Sequence, residues 1–175
     1  MKLLCISGSL RAASTNTALL LALRDIAPPG FELAIHDGLG ALPIFNPDDE
    51  GARTPAQVAR LIEAVAEADG LVIACPEYAH GVPGGLKNAL DWLVSGDAPV
   101  GKPVMLVHAS PRSMFARAAL RETLKTMGLS VFDGSELEVS LIGKKTSDFE
   151  PILHDPVIRD MMRTSLVEFG RFIKR

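Results

Sequence analysis

Short apolar runs alternate with amphipathic stretches from one end of the chain to the other. Residues 2–7 form the first run, with Leu3, Leu4, Cys5 and Ile6 in succession. An unbroken apolar run of this length reads as a strand buried on both faces. Residues 15–27 carry helical spacing and stop at Pro28-Pro29-Gly30. Phe31 to Asp37 alternates apolar and polar residues, as an edge strand can. A long loop, Gly38 to Arg53, follows and holds Leu42-Pro43-Ile44-Phe45-Asn46-Pro47. Thr54, Pro55 and Gln57 predict a second helix to about Ala68, opened by a capping box with Pro55 at its first position. Residues 70–75 read as strand three and residues 84–95 as helix three, with Leu86, Leu90 and Leu93 on one face. Gly101-Lys102-Pro103 leads into strand four, Val104 to Ala109. Residues 115–127 form a helix ended by Gly128. Ser130 to Val139 is strand five, interrupted at Asp133-Gly134. The last helix starts after Asp155, with Pro156 first and a stripe of Ile158, Met162, Leu166, Phe169 and Ile173.

Five strands alternating with five helices predict an α/β protein with a five-stranded parallel sheet covered on both faces. Right-handed crossovers leave few topologies, and the order 2-1-3-4-5 of a three-layer αβα, flavodoxin-like fold fits best. Its switch point lies between strands one and three, so the loops after those strands are the expected ligand site. No repeat or second domain is evident, and residues 1–175 read as a single domain.

The 47% hydrophobic content excludes a disordered chain. A net charge of -3 argues against nucleic acid or an anionic membrane as main partner. No apolar run approaches the ~20 residues that span a bilayer, and the first run is too short for a signal peptide. A cytoplasmic protein is expected. Cys5 and Cys75 form no paired motif and read as core residues. Neighbouring strands can bring them close, but a reducing compartment disfavours a bridge. Asp48-Asp49-Glu50 lacks regular ligand spacing and reads as a solvated loop, with no metal expected.

The first loop, Gly8-Ser9-Leu10-Arg11-Ala12-Ala13-Ser14-Thr15-Asn16, runs straight into helix one. The first N–H groups of a helix lack internal partners and favour an anion. Ser9, Ser14, Thr15 and Asn16 add side-chain donors, and Arg11 adds a forked charge suited to phosphate. Leu10, Arg11 and Ala13 stand where a dinucleotide fingerprint needs glycine, and no Walker sequence follows. A terminal monophosphate, such as that of FMN, fits this loop. The same residues also serve a plainer purpose, with Ser14 or Thr15 as helix cap and Arg11 solvated.

The second loop, Pro76 to Pro83, is rich in glycine and proline and exposes main-chain groups for a flat ring. Tyr78 flanks such a ring or is a half-buried loop aromatic. Glu77 reads as structural, bonded to a backbone group or capping the turn; His80 can approach ring or substrate; Ala79 and Gly81 are, with them, candidate cofactor contacts. Asn88, Asp91 and Trp92 read as packing or subunit-contact residues. Leu19-Leu20-Leu21 and the Trp92 region are candidate subunit surface. In the loop after strand four, Ser110 and Arg112 can close over the ring, and Arg112 can instead meet a dinucleotide phosphate or an acidic neighbour. No nucleophile elbow or paired-carboxylate arrangement is present.

Gly8-Ser9-Leu10-Arg11 with Ser14 and Asn16, then Pro76-Glu77-Tyr78, Pro83-Gly84, Leu86-Lys87-Asn88-Ala89 and Asp91-Trp92, resemble the NADPH-dependent FMN reductase family. The resemblance runs from strand one to about strand four. It implies bound FMN, NADPH or NADH as hydride donor, and a homodimer or homotetramer. It implies phosphate contacts from Ser9, Arg11, Ser14, Thr15 and Asn16, with Pro76, Glu77, Tyr78 and Gly81 facing the ring. Two features depart from the family pattern: Ala79-His80 where Asn often follows Pro-Glu-Tyr, and Arg112-Ser113-Met114 where glycines are usual.

The expected function is an FMN-dependent NAD(P)H oxidoreductase. Hydride passes to flavin N5 in a ping-pong cycle and on to a small acceptor such as free flavin, quinone, azo compound or metal oxyanion. Positioning of two planar rings carries such a reaction, and no single side chain is expected to be catalytic. A flavodoxin-like electron carrier is the alternative, disfavoured by the mild acidity. An enzyme that binds another phosphorylated ligand is the third reading.

Overall fold

The computed structural model describes residues 1–175. Its strands are β1 (Lys2–Ser7), β2 (Glu32–His36), β3 (Gly70–Ala74), β4 (Pro103–His108), β5 (Ser130–Val131) and β6 (Leu137–Glu138). Its helices are α1 (Thr15–Asp25), α2 (Ala56–Glu67), α3 (Gly84–Leu93), α4 (Met114–Thr126), α5 (Phe149–Leu153) and α6 (Pro156–Ile173). All strand pairs are parallel, in the order β2-β1-β3-β4-β5, and β6 also pairs with β4. The flavodoxin-like order read from the sequence is therefore present.

Alternation along each strand divides the interior into two cores. Leu4, Ile6, Leu71, Ile73, Val104 and Leu106 face one way and meet α2, α3 and α4. Leu3, Cys5, Val72, Ala74, Met105 and Val107 face the other and meet α1, α5 and α6. Cys5 and Cys75 lie in opposite cores as free thiols, so no bridge joins them. Leu19, Leu20 and Trp92, offered above as subunit surface, are buried within the chain. The exposed large apolar residues are others, among them Leu10, Ile44, Met114 and Phe115.

Three local readings change. The second helix starts at Ala56, with Pro55 as its cap and no side-chain capping bond, so the capping box does not form. The fifth strand is in two pieces, and between them the ring of Phe132 lies over Gly134, where a Cβ would come within 2.1 Å of it. Phe132 thereby joins the aromatic contacts with Phe169 and Phe172 at 5.7 and 5.4 Å. The short helix α5 was not anticipated; its five residues are too few for a periodic signal.

The long loop after β2 is held against α3. Asn88 accepts from Phe45 N at 2.8 Å and donates to Pro43 O at 2.9 Å, and Trp92 Nε1 donates to the same oxygen at 2.8 Å. The packing role expected of Asn88 and Trp92 is what they perform.

Helix α4 ends at Gly128, whose φ is +79°. Its N–H reaches Lys125 O at 2.9 Å, and Leu129 N reaches Leu124 O at 3.0 Å, a Schellman closure. Gly128→Ala forces a Cβ into that left-handed conformation. It is expected to cost ~1 kcal/mol, read as a lower denaturation midpoint with unchanged slope.

Candidate functional site

Four loops leave the carboxyl ends of β1, β3, β4 and β6 and enclose one cavity of about 700 Å³. That volume falls within the ~300–1,000 Å³ usual for cofactor and ligand sites.

The first wall is the loop from β1 to α1. Gly8 N donates to Ala74 O at 2.8 Å, carrying the β1–β3 pairing past the strand end. A Cβ on Gly8 would lie 3.0 Å from Leu86 Cδ2 and 3.1 Å from Pro76 Cδ, so only glycine lets the loops approach this closely. Ser14 caps α1, its Oγ accepting from Thr17 N at 3.2 Å. Ser9 Oγ accepts from Arg11 N at 3.4 Å and Thr17 Oγ1 donates to Ser7 Oγ at 2.8 Å, which fixes the curve of the loop. The N–H groups of Thr15 and Asn16 and the side-chain amide of Asn16 meet no acceptor or donor within the chain. Asn16 is nonetheless buried, and Arg11, Ala13, Thr15 and Asn16 line the cavity.

The second wall is Cys75, Pro76, Glu77 and Tyr78. Beyond it the chain reverses in two residues, with Tyr78 N to Gly81 O at 3.1 Å and Gly81 N to Tyr78 O at 2.9 Å. Ala79 (φ 49°) and His80 (φ 59°) both occupy the left-handed region that Asn-Gly usually fills. The His80 ring stacks on Phe115 at 4.4 Å. Glu77 accepts from Ala116 N at 2.9 Å in the first turn of α4. Its structural role is as expected, and the bond joins the second wall to the third. Burial pushes the Cys75 thiol up to about 12, so it stays protonated.

The third wall is Ala109, Ser110, Arg112 and Ser113. Arg117 holds it from behind: Nη2 donates to Ser110 O at 2.6 Å and to Glu138 at 2.5 Å, and Nε donates to Ser113 Oγ at 3.0 Å. Arg121 bonds Glu136 through Nε at 3.1 Å. His108, 1% exposed, lies beneath with Nε2 3.1 Å from Glu136, too poorly aligned for a hydrogen bond. Burial, with Arg117 adding to it, lowers the His108 imidazole to about 4 against the pull of Glu136 and Glu138. Burial pushes Glu136 up, but the Arg121 bond and the His108 and Arg117 charges outweigh it and hold the carboxyl below its ordinary value.

The fourth wall is Leu141 to Thr146 with Phe149. Val139 N to His108 O at 2.8 Å and Leu141 N to Ala109 O at 3.0 Å extend the β6–β4 pairing up to it.

Of the residues singled out in the sequence, Arg11, Thr15, Asn16, Pro76, Glu77, Tyr78, Ser110 and Arg112 line this one cavity. Ser9, Ser14, Ala79, His80 and Gly81 do not: the first two shape and cap the loop, and the others form the hairpin. The fourth wall went unread. Its signal was the rule already applied to the other strands, but the break in strand five obscured where that strand ends.

A concave site at the switch edge of a flavodoxin-like sheet, with free amides at one end and a wide slot beside them, is built for a phosphorylated ligand with a flat body. Residues 1–142 match the NADPH-dependent FMN reductase family, and the chain belongs to it. A quinone reductase of Escherichia coli is 34% identical over 184 residues, spanning 100% of this chain and 96% of the relative. An NAD(P)H-dependent FMN reductase of Pseudomonas aeruginosa is 33% identical over 180 residues, with the same coverage. The flavoenzyme NAD(P)H:(acceptor) oxidoreductase FerB of Paracoccus denitrificans superposes with a TM-score of 0.84 at 25% identity, covering 99% of this chain and 97% of that one. The chain is thus an NAD(P)H-dependent FMN oxidoreductase.

Two outcomes follow from the geometry. Unfolded chains protonate His108 near 6.5, whereas the folded chain does so only near 4. Between these values the unfolded state binds more protons, so stability falls as pH drops from about 6.5 to 4. Urea midpoints across this range should fall less in His108→Gln; an unchanged slope excludes His108 as the source. Ala79→Asn relieves the left-handed turn and should raise stability by ~0.5 kcal/mol, measured by urea denaturation.

Proposed function

We propose that the cavity holds FMN with its phosphate at the start of α1 and its ring across the second and third walls. The observation that supports this most is the pair of free backbone amides at Thr15 and Asn16, beside Arg11 and the free Asn16 amide group, at one end of a cavity wider than a phosphate needs. Together they offer a monophosphate four donor groups with no metal required.

FMN, when bound, accepts a hydride from NAD(P)H and passes two electrons to a second ligand. The residues of the chain bind and orient. Pro76, Glu77 and Tyr78 line the cavity and would hold the ring from the second wall, where half-exposed Tyr78 borders solvent. Ser110 and Arg112 close the other side, on a loop that Arg117 stiffens. Donor and acceptor take turns in the same opening, which is a ping-pong cycle with no obligatory side-chain acid or base.

The acceptor is a small molecule, and the quinone reductase relative supports a quinone. No helix is long and apolar enough to cross a membrane. We read the chain as one flavin-binding unit of a cytoplasmic homodimer or homotetramer, supported by exposed Leu10, Met114 and Phe115.

The purified protein reconstituted with FMN should lose its visible flavin absorbance on anaerobic addition of NADPH and regain it with a quinone. Persistent oxidised absorbance with NADPH would assign an electron carrier instead. Arg11→Ala should weaken FMN binding roughly tenfold or more by fluorescence titration, as loss of a charged hydrogen bond predicts; unchanged affinity removes the phosphate assignment.

A further inference from the structure

The third wall owes its polarity to a side chain that stands outside the cavity. Its loop is Ser110-Pro111-Arg112-Ser113, with no glycine to let the backbone turn freely. Pro111 has no N–H, and Arg112 N donates to Ser110 Oγ at 3.1 Å, so neither residue has a free amide for a ligand. The Ser110 carbonyl accepts from Arg117 Nη2 at 2.6 Å and from Ser113 Oγ at 3.2 Å. Ser110 lines the cavity and Arg117 does not, so that oxygen is turned to the back of the wall. Ser113 also lines the cavity; it is 3% exposed, and its N–H meets no acceptor within the chain. Buried backbone N–H groups without a partner are rare in folded proteins and costly to leave unmet. The wall therefore keeps an acceptor away from the cavity and a donor without an internal partner beside it.

One residue governs both orientations. Arg117 donates from Nε to Ser113 Oγ at 3.0 Å, and from Nη2 to Ser110 O and to Glu138 at 2.5 Å. Glu138, on β6, anchors the guanidinium, and Nη1 lies 3.5 Å from Glu136. Glu136 and Glu138 balance the charges of Arg117 and Arg121, so Arg117 acts on the wall through its planar fork and not through net charge. The next step rests on the FMN reading of the cavity. A flavin gains negative charge on reduction, and a wall that presents N–H in place of C=O stabilises that charge. We infer that Arg117 is a positioning residue for the oxidoreductase reaction: it holds the Ser110 carbonyl out of the cavity and the Ser113 N–H toward it, and so raises the reduction potential of bound FMN. Arg117 itself touches no ligand.

The test compares the FMN-loaded parent with Arg117→Lys, Arg117→Met and Arg121→Met. The last is the control, since it breaks an ion pair with Glu136 in the same cluster but no bond to the wall. The midpoint potential of bound FMN is measured against a reference dye, and urea midpoints are recorded alongside. Both Arg117 variants are expected to bind reduced FMN about tenfold more weakly relative to oxidised FMN, which lowers the two-electron potential by about 30 mV. Arg121→Met should keep the parent potential although its urea midpoint falls. A parent-like potential in Arg117→Lys would overturn the inference, because it would leave the effect to charge and not to the fork. An equal drop in Arg121→Met would overturn it as well, by assigning the shift to the charge cluster as a whole. If Arg117→Met does not fold, Arg117→Lys carries the measurement. Hydrogen exchange on the apoproteins separates this inference from the cofactor reading. The amides from Ser110 to Arg117 should exchange faster in Arg117→Lys than in the parent, and unchanged exchange would overturn the positioning role whether or not FMN binds. A parent protein that binds no FMN defeats the cofactor reading, and with it the effect on potential.

Discussion

Parallel pairing of β1 with β3 is the constraint on which the rest depends. It sets the register Cys5 to Val72 and Ser7 to Ala74, so both strands end at the same level. Helices cover both faces, and the largest of the described cavities opens at the edge where the loops emerge. The Gly8 N to Ala74 O bond carries this alignment one residue into the loops, and close packing of Gly8 on Pro76 and Leu86 brings the first and second walls together. A side chain at residue 8 would crowd Leu86 and Pro76 where the two walls meet.

The loops are tied to one another more than to solvent. Glu77 spans from the second wall to the first turn of α4, and the His80–Phe115 stack makes a parallel tie outside the cavity. Arg117 ties the two ends of the third wall to the strand that carries Glu138. These ties offset the strain of two successive left-handed residues at Ala79 and His80, each disfavoured by about 1 kcal/mol. Strain of this kind persists only where surrounding contacts overdetermine it, which is common beside ligand sites.

Charge is sorted across the third wall. Behind it, Arg117 and Arg121 are neutralised by Glu138 and Glu136, and His108 stays uncharged near neutral pH because burial beside arginine disfavours a further proton. In front of it, the lining cations have no internal partners.

Strand identity and order were legible because each buried strand is a short apolar run bounded by turn residues, and those signals are local. The first wall was legible for the same reason: Arg11, Thr15 and Asn16, which line the cavity, sit together on one loop beside a helix start. Ser9 and Ser14 carried the same chemical signal yet serve the loop and the cap, a choice set by backbone geometry. The capping box at Thr54 had the right letters and did not form, because the helix begins beyond Pro55. The amino-acid order by itself determined the alternation of elements, the parallel sheet and the first two walls, since each depends on residues adjacent in the chain. Only the folded chain decided that the broken fifth strand supplies a fourth wall with Lys144 and Lys145, and that Arg117 lies behind the third. Those placements arise from contacts between segments far apart in sequence, to which local periodicity is blind.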